Sequence, residues 1–151
     1  MFVDLLEHKE KDALMMLLVD IAKADGSIDE SEMDFLVKYA NEHGVELDLE
    51  KSVSISDACR QISSQKARVV TIQEIVKLAI VDGSYDDAEK AGAMAIAKML
   101  GIESDKFEEI EKWVLDGQSW VQQGVEMLGQ QTHTLGQQKA PLLRRSAFCC
   151  R

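Results

Sequence analysis

The feature that most limits how this chain can fold is an internal repeat. Shifted by 57 positions, Ile21-Ala22-Lys23-Ala24-Asp25-Gly26-Ser27-Ile28-Asp29 aligns with Leu78-Ala79-Ile80-Val81-Asp82-Gly83-Ser84-Tyr85-Asp86. Farther on, Glu32 meets Glu89, Ala40 meets Ala97, Gly44 meets Gly101 and Val45 meets Ile102. Turn, helix-ending glycine and the spacing between them match together, the signature of two copies of one helical hairpin. In each copy the glycine, Gly26 or Gly83, suits the positive φ that lets a helix end and the chain reverse. Asp29 and Asp86 suit the N-cap of the next helix, and Glu32 and Glu89 three residues on complete a capping box. Ile28 and Tyr85, just before those caps, are placed as hydrophobic staples.

Hydrophobic periodicity fills in the rest. Leu14, Leu17, Leu18 and Ile21 fall at i, i+3, i+4 and i+7 of a helix expected over about 4–24, widened by Met15, Met16 and Val19 into a central, two-sided element. A second helix is expected over about 29–43, with Met33, Leu36, Val37 and Ala40 aligned and Gly44 ending it. A short helix over 56–62 carries Ala58, Cys59 and Ile62. Three more follow over about 65–81, 86–100 and 104–128, the last with Phe107, Ile110, Val114, Val121 and Val125 as its apolar edge. With one proline and nine glycines in 151 residues, a turn-rich all-β fold has little support. The expectation is an all-α, compact bundle of about six helices containing two pseudo-repeated helix–Asp-Gly turn–helix hairpins. Such a length is ordinary for one domain, and folding would bury roughly 70% of the unfolded chain's surface.

Charge divides the chain in two. The net charge is −10, yet no acid follows Glu126, while Lys139, Arg144, Arg145 and Arg151 add four positives, leaving the body at −14. The organisation expected is a helical domain over 1–128 and a flexible, glutamine-rich basic tail over 129–151. An acidic body argues against nucleic acid, whose phosphates need a basic face. The start, Met1-Phe2-Val3-Asp4, has no leader pattern, and the longest apolar run, residues 13–19, is too short to span a bilayer. Cys59 and the adjacent Cys149 and Cys150 form no disulfide framework, so a reducing, cytoplasmic setting is expected. Membrane contact is expected only through the tail, whose basic residues flank Leu142, Leu143 and Phe148.

Two readings compete for the acidic turns. Helix capping accounts for most of the motif without any ligand. Binding of a hard cation, Ca2+ or Mg2+, is the rival, because Asp25-Gly26-Ser27-Ile28-Asp29-Glu30-Ser31-Glu32 is similar to the second half of an EF-hand loop. Ile21 and Lys23 would occupy its first and third positions, and Leu78 and Ile80 those of the second copy, so a true EF-hand is excluded. Only convergence of the turns, pooling Asp25, Asp29, Glu32, Asp82, Asp86 and Glu89, would build a cation site.

An Ala-Asp-Gly-x-Ile-Asp-x-x-Glu turn after an apolar helix, repeated after another helix pair, resembles the TerB family of tellurite-resistance proteins and the N-terminal region of DjlA-type co-chaperones. The match is close over Ala24–Glu32 and looser over Val81–Glu89, where Tyr85 replaces an aliphatic residue. The resemblance covers about 5–115. It implies a compact helical bundle, a bacterial cytoplasmic location and a non-catalytic binding or scaffold role in chemical stress, with protein partners. A co-chaperone-like or membrane-adjacent adaptor is the remaining alternative. No His-x-x-x-His pair, phosphate loop, nucleophile elbow or Cys-x-x-Cys occurs, and the chain is not expected to be an enzyme. His43, in the last turn of a helix, is expected to complement the helix dipole, and His8 to be solvated. Cys59 is expected in the core, and Cys149-Cys150 to be an incidental part of the tail. Trp113 and Trp120 lie seven apart on one helix, which suggests core packing, with a partner-docking ridge as the alternative.

Overall fold

The computed structural model describes residues 2–129. A 3-10 turn at Val3–Leu5 leads to six helices: α1 (His8–Ala22), α2 (Glu30–His43), α3 (Ile55–Gln61), α4 (Gln65–Ala79), α5 (Asp87–Met99) and α6 (Ser104–Met127). No strand occurs among the described residues, and none of their helices is long and apolar enough to cross a membrane. The all-α class and the six helices are those expected.

The described residues divide into two units, one up to Val114 and one from Leu115 onward. In the first, α1 is the hub, packing against α2, α3, α4 and α5. The apolar stripe runs nearly all the way round it: Leu14, Leu17 and Leu18 are fully buried, and Met15, Val19 and Ile21 nearly so. α4 is its counterpart, with Ile72, Ile75, Val76 and Leu78 buried against both α1 and α5. At the end of α1, the side chain of Ile21 lies where a Cβ on Gly92 of α5 would sit 3.0 Å away, so glycine permits that close approach. From α6 the first unit takes Phe107, Ile110, Glu111 and Val114, all buried. Cys59 lies in the core, as expected, and burial pushes its thiol pKa up.

Several details differ from the sequence reading. The first helix starts at His8 because Glu7 and Glu10 form a capping box there, Glu7 N–H donating to Glu10 Oε1 at 2.9 Å. Leu6 is extended, which separates α1 from the 3-10 turn. His43 does more than face the end of a helix: its ring packs on Tyr39, 4.8 Å between centroids, and its Nδ1 lies 3.5 Å from Asp4. Neither tryptophan is buried in the core. Trp113 is 45% exposed and stacks on Phe2, and Trp120 is 74% exposed. Val121, read as part of an apolar edge, is exposed too, because the second unit offers that side of α6 no covering element among its described residues. The expectations placed on the basic tail and on Cys149-Cys150 lie outside the described residues.

Candidate functional site

The two acidic turns follow α1 and α4, and their backbone hydrogen bonds correspond, while Asp82 alone also accepts from a serine hydroxyl, that of Ser84. After α1, Ala24 N–H donates to Ile21 O at 3.1 Å and Gly26 N–H to Lys23 O at 3.0 Å. After α4, Val81 N–H donates to Leu78 O and Gly83 N–H to Ile80 O, both at 3.1 Å. Gly26 and Gly83 have φ of 97° and 89°, where any side chain would be strained. Asp25 Oδ1 accepts from Ser27 N–H at 3.1 Å, and Asp82 Oδ1 from Ser84 N–H at 2.8 Å.

Both capping boxes form. Asp29 Oδ1 accepts from Glu32 N–H at 2.8 Å while Glu32 Oε2 accepts from Asp29 N–H at 2.9 Å. Asp86 and Glu89 repeat the exchange at 2.8 and 3.0 Å. Four of the six acids therefore satisfy N–H groups that α2 and α5 leave open at their first turns, and their charge meets the positive end of each helix dipole. In each of these four carboxylates one oxygen is held by the backbone, and Glu32 is buried.

The turns also come together. Glu32 and Glu89 have their pKa values raised first by burial, and then by carboxylates that include members of the opposite turn. Glu32 feels Asp29, Asp25 and Glu89, while Glu89 feels Asp86, Asp82 and Asp25. Asp82 moves the other way, its pKa lowered chiefly by the N–H it accepts from Ser84. The two helices that carry the turns, α1 and α4, pack against each other. Among the described residues no lysine or arginine forms an ion pair with any of the six acids. Nor does any group of three or more His, Cys, Asp or Glu among those residues have the arrangement needed to hold a metal ion. The result is a concentrated negative surface without a preformed coordination cage.

One supporting residue escaped the sequence reading. Tyr85, placed there only as a staple, donates its hydroxyl hydrogen to Glu111 Oε2 at 2.7 Å, and Lys90 Nζ reaches Glu111 Oε1 at 3.2 Å. Burial and this carboxylate push the Tyr85 pKa up. A signal was available: Glu111 falls on the stripe of Phe107, Ile110 and Val114, and an acid on an apolar face needs a partner. The first turn has a different anchor, Lys23 Nζ donating to Leu49 O at 2.7 Å. That bond ties the 44–54 segment to α1 beside a cavity of about 640 Å3 lined by His8, Asp12, Met15, Asp20 and Glu46. Burial raises the Asp20 pKa there.

A family model described as tellurite resistance protein TerB matches residues 11–112. The chain belongs to the TerB family. The matched span holds both turns, all four capping acids and Glu111, and it stops before Trp113. No curated protein and no solved structure matches the chain.

Proposed function

We propose that this TerB-family chain is a non-catalytic, cytoplasmic binding module of a tellurite-type stress response, and that it works through the surface where its acidic turns meet. The observation that carries this reading is the convergence of Asp25, Asp29, Glu32, Asp82, Asp86 and Glu89 without a cationic partner. Like charges held together cost free energy, and a cationic ligand relieves that cost. The ligand proposed is a basic segment of a partner protein, whose lysines or arginines would meet the carboxylates of the two turns.

The test uses a labelled oligolysine peptide and fluorescence anisotropy. Asp25→Asn with Asp82→Asn removes two charges and keeps a side-chain oxygen for each turn. Binding that weakens severalfold in this variant and fades with added salt supports the reading. Equal binding by both proteins contradicts it.

A hard divalent cation is the second reading, favoured by the same meeting of carboxylates from the two turns. Ca2+ or Mg2+ would be held by carboxylate oxygens from both turns, with water completing its shell. Ca2+ that displaces the peptide at millimolar concentration or below supports it, and peptide binding indifferent to both ions counts against it.

A further inference from the structure

The C-terminal half of α6 carries features, costly to a helix, that serve nothing among the described residues of one copy. Gly117 and Gly124 sit inside a continuous helix, where glycine is among the worst residues. A Cβ at either position would meet open space, so no neighbour among the described residues requires them. Between and beyond them stand Trp120 and Met127, 74% and 84% exposed, with Val121 and Leu128 exposed alongside.

Gly117, Trp120, Gly124 and Met127 are spaced by three, four and three residues, the seam spacing of a coiled coil. Small and large residues alternate along that seam. We propose that the occupant of this face is a second copy of the same helix, packed antiparallel about a two-fold axis near Gln122. In that register Trp120 of each copy lies over Gly124 of the other, and Met127 over Gly117. Each knob meets a glycine hole, and the relation is reciprocal, as an isologous interface demands.

Charge selects the same occupant. A chain of net charge −10 repels its own copy, so self-association needs a neutral face. Residues 117–125 provide one, Gly-Gln-Ser-Trp-Val-Gln-Gln-Gly-Val, without a charged side chain. The flanking acids do not collide either, because Asp116 falls level with the partner copy's Leu128 and Glu126 with its Gln118. Those acids also disfavour anionic lipid as the occupant. Burying Trp120, Val121, Met127 and Leu128 from both copies removes on the order of 1,000 Å2 from water, near the threshold for a specific interface.

The experiment is sedimentation velocity of the full chain from low micromolar to several hundred micromolar, with circular dichroism on the same samples. The wild type is expected to pass from monomer to dimer. Trp120→Glu lies outside the buried core, and should keep the helical fold while weakening the dimer about tenfold or more. Gly117→Ala with Gly124→Ala is the sharper variant: helix content rises while the dimer weakens, since methyl groups fill the holes. A wild type that stays monomeric throughout overturns the proposal. That includes the case in which deletion of residues 130–151 unmasks a dimer, showing the chain's own tail on this face, and the case in which the face binds phosphatidylcholine vesicles instead. An alanine pair that dimerises as tightly as the wild type overturns it as well.

Discussion

The two hairpin turns have the same backbone and different foundations. Each closes with the same short bonds, the same positive-φ glycine and the same reciprocal capping box, to within a few tenths of an ångström. Beneath them the supports diverge. The first turn is tied by a lysine to the carbonyl of Leu49, and Ile28 packs against the core beside it. The second is tied through a tyrosine and a lysine to one buried carboxylate on α6. Local sequence sets the shape of such a turn, while its attachment depends on what the rest of the fold brings near. Similarity along the chain therefore does not make the two turns equally stable.

Removing the attachment unique to one turn should have the largest effect. Glu111→Ala strips the acceptor from Tyr85 and Lys90; the Tyr85 bond to a charged group is worth roughly 1.5–3 kcal/mol, and the pair with half-exposed Lys90 adds little. We expect a loss of about 2 kcal/mol in urea unfolding, within that range. Amide exchange should quicken at the start of α5 and stay unchanged at the start of α2. Equal quickening at both would mean that the anchor belongs to the whole bundle.

Where the turns agree, matched substitutions should agree. Asp29→Ala and Asp86→Ala each remove one side of a capping box, and each should cost about 1 kcal/mol in thermal unfolding. A twofold difference between them would show that the attachments reach the caps.

The smallest effect expected is a dependence on pH. Glu32 and Glu89 have raised pKa values in the folded chain, so there they hold protons more tightly than in the unfolded one. Their contribution to stability is complete below the ordinary glutamate value of 4.5 and is lost as pH rises through the raised values. Stability should therefore decline from that value toward neutrality. Asp82, with its lowered pKa, acts in the opposite sense and in a lower window, since its contribution is lost only as pH falls below its ordinary 3.8. Glu32→Gln with Glu89→Gln keeps the box, because glutamine also serves at that position, and should flatten the decline. A slope unchanged in the double variant would assign it to other groups.

Much of this architecture was legible because it is locally encoded. Caps, glycine turns and the stripes of α1 and α4 depend on residues within one or two helical turns of each other. The six acids could be named for the same reason. Their meeting could not, because it depends on how α1 and α4 pack against each other, a relation between residues 57 apart. The start of α1 was missed because the reading gave Glu7 and Glu10 no capping role, although their spacing fits the box. The tryptophans misled for a different reason: seven-residue spacing says that they share a helix face, and says nothing of whether the chain covers it. Trp113 finds Phe2, while Trp120 remains open.

The central claim is that the two turns act as one acidic surface. It is tested most directly by an amide NMR titration with oligolysine, read at Gly26 and Gly83, in the wild type and in Asp25→Asn. The account predicts that both glycines follow one binding curve, and that removing the charge from the first turn weakens the response at Gly83 as well as at Gly26. Two independent curves, or a Gly83 response untouched by Asp25→Asn, would contradict it.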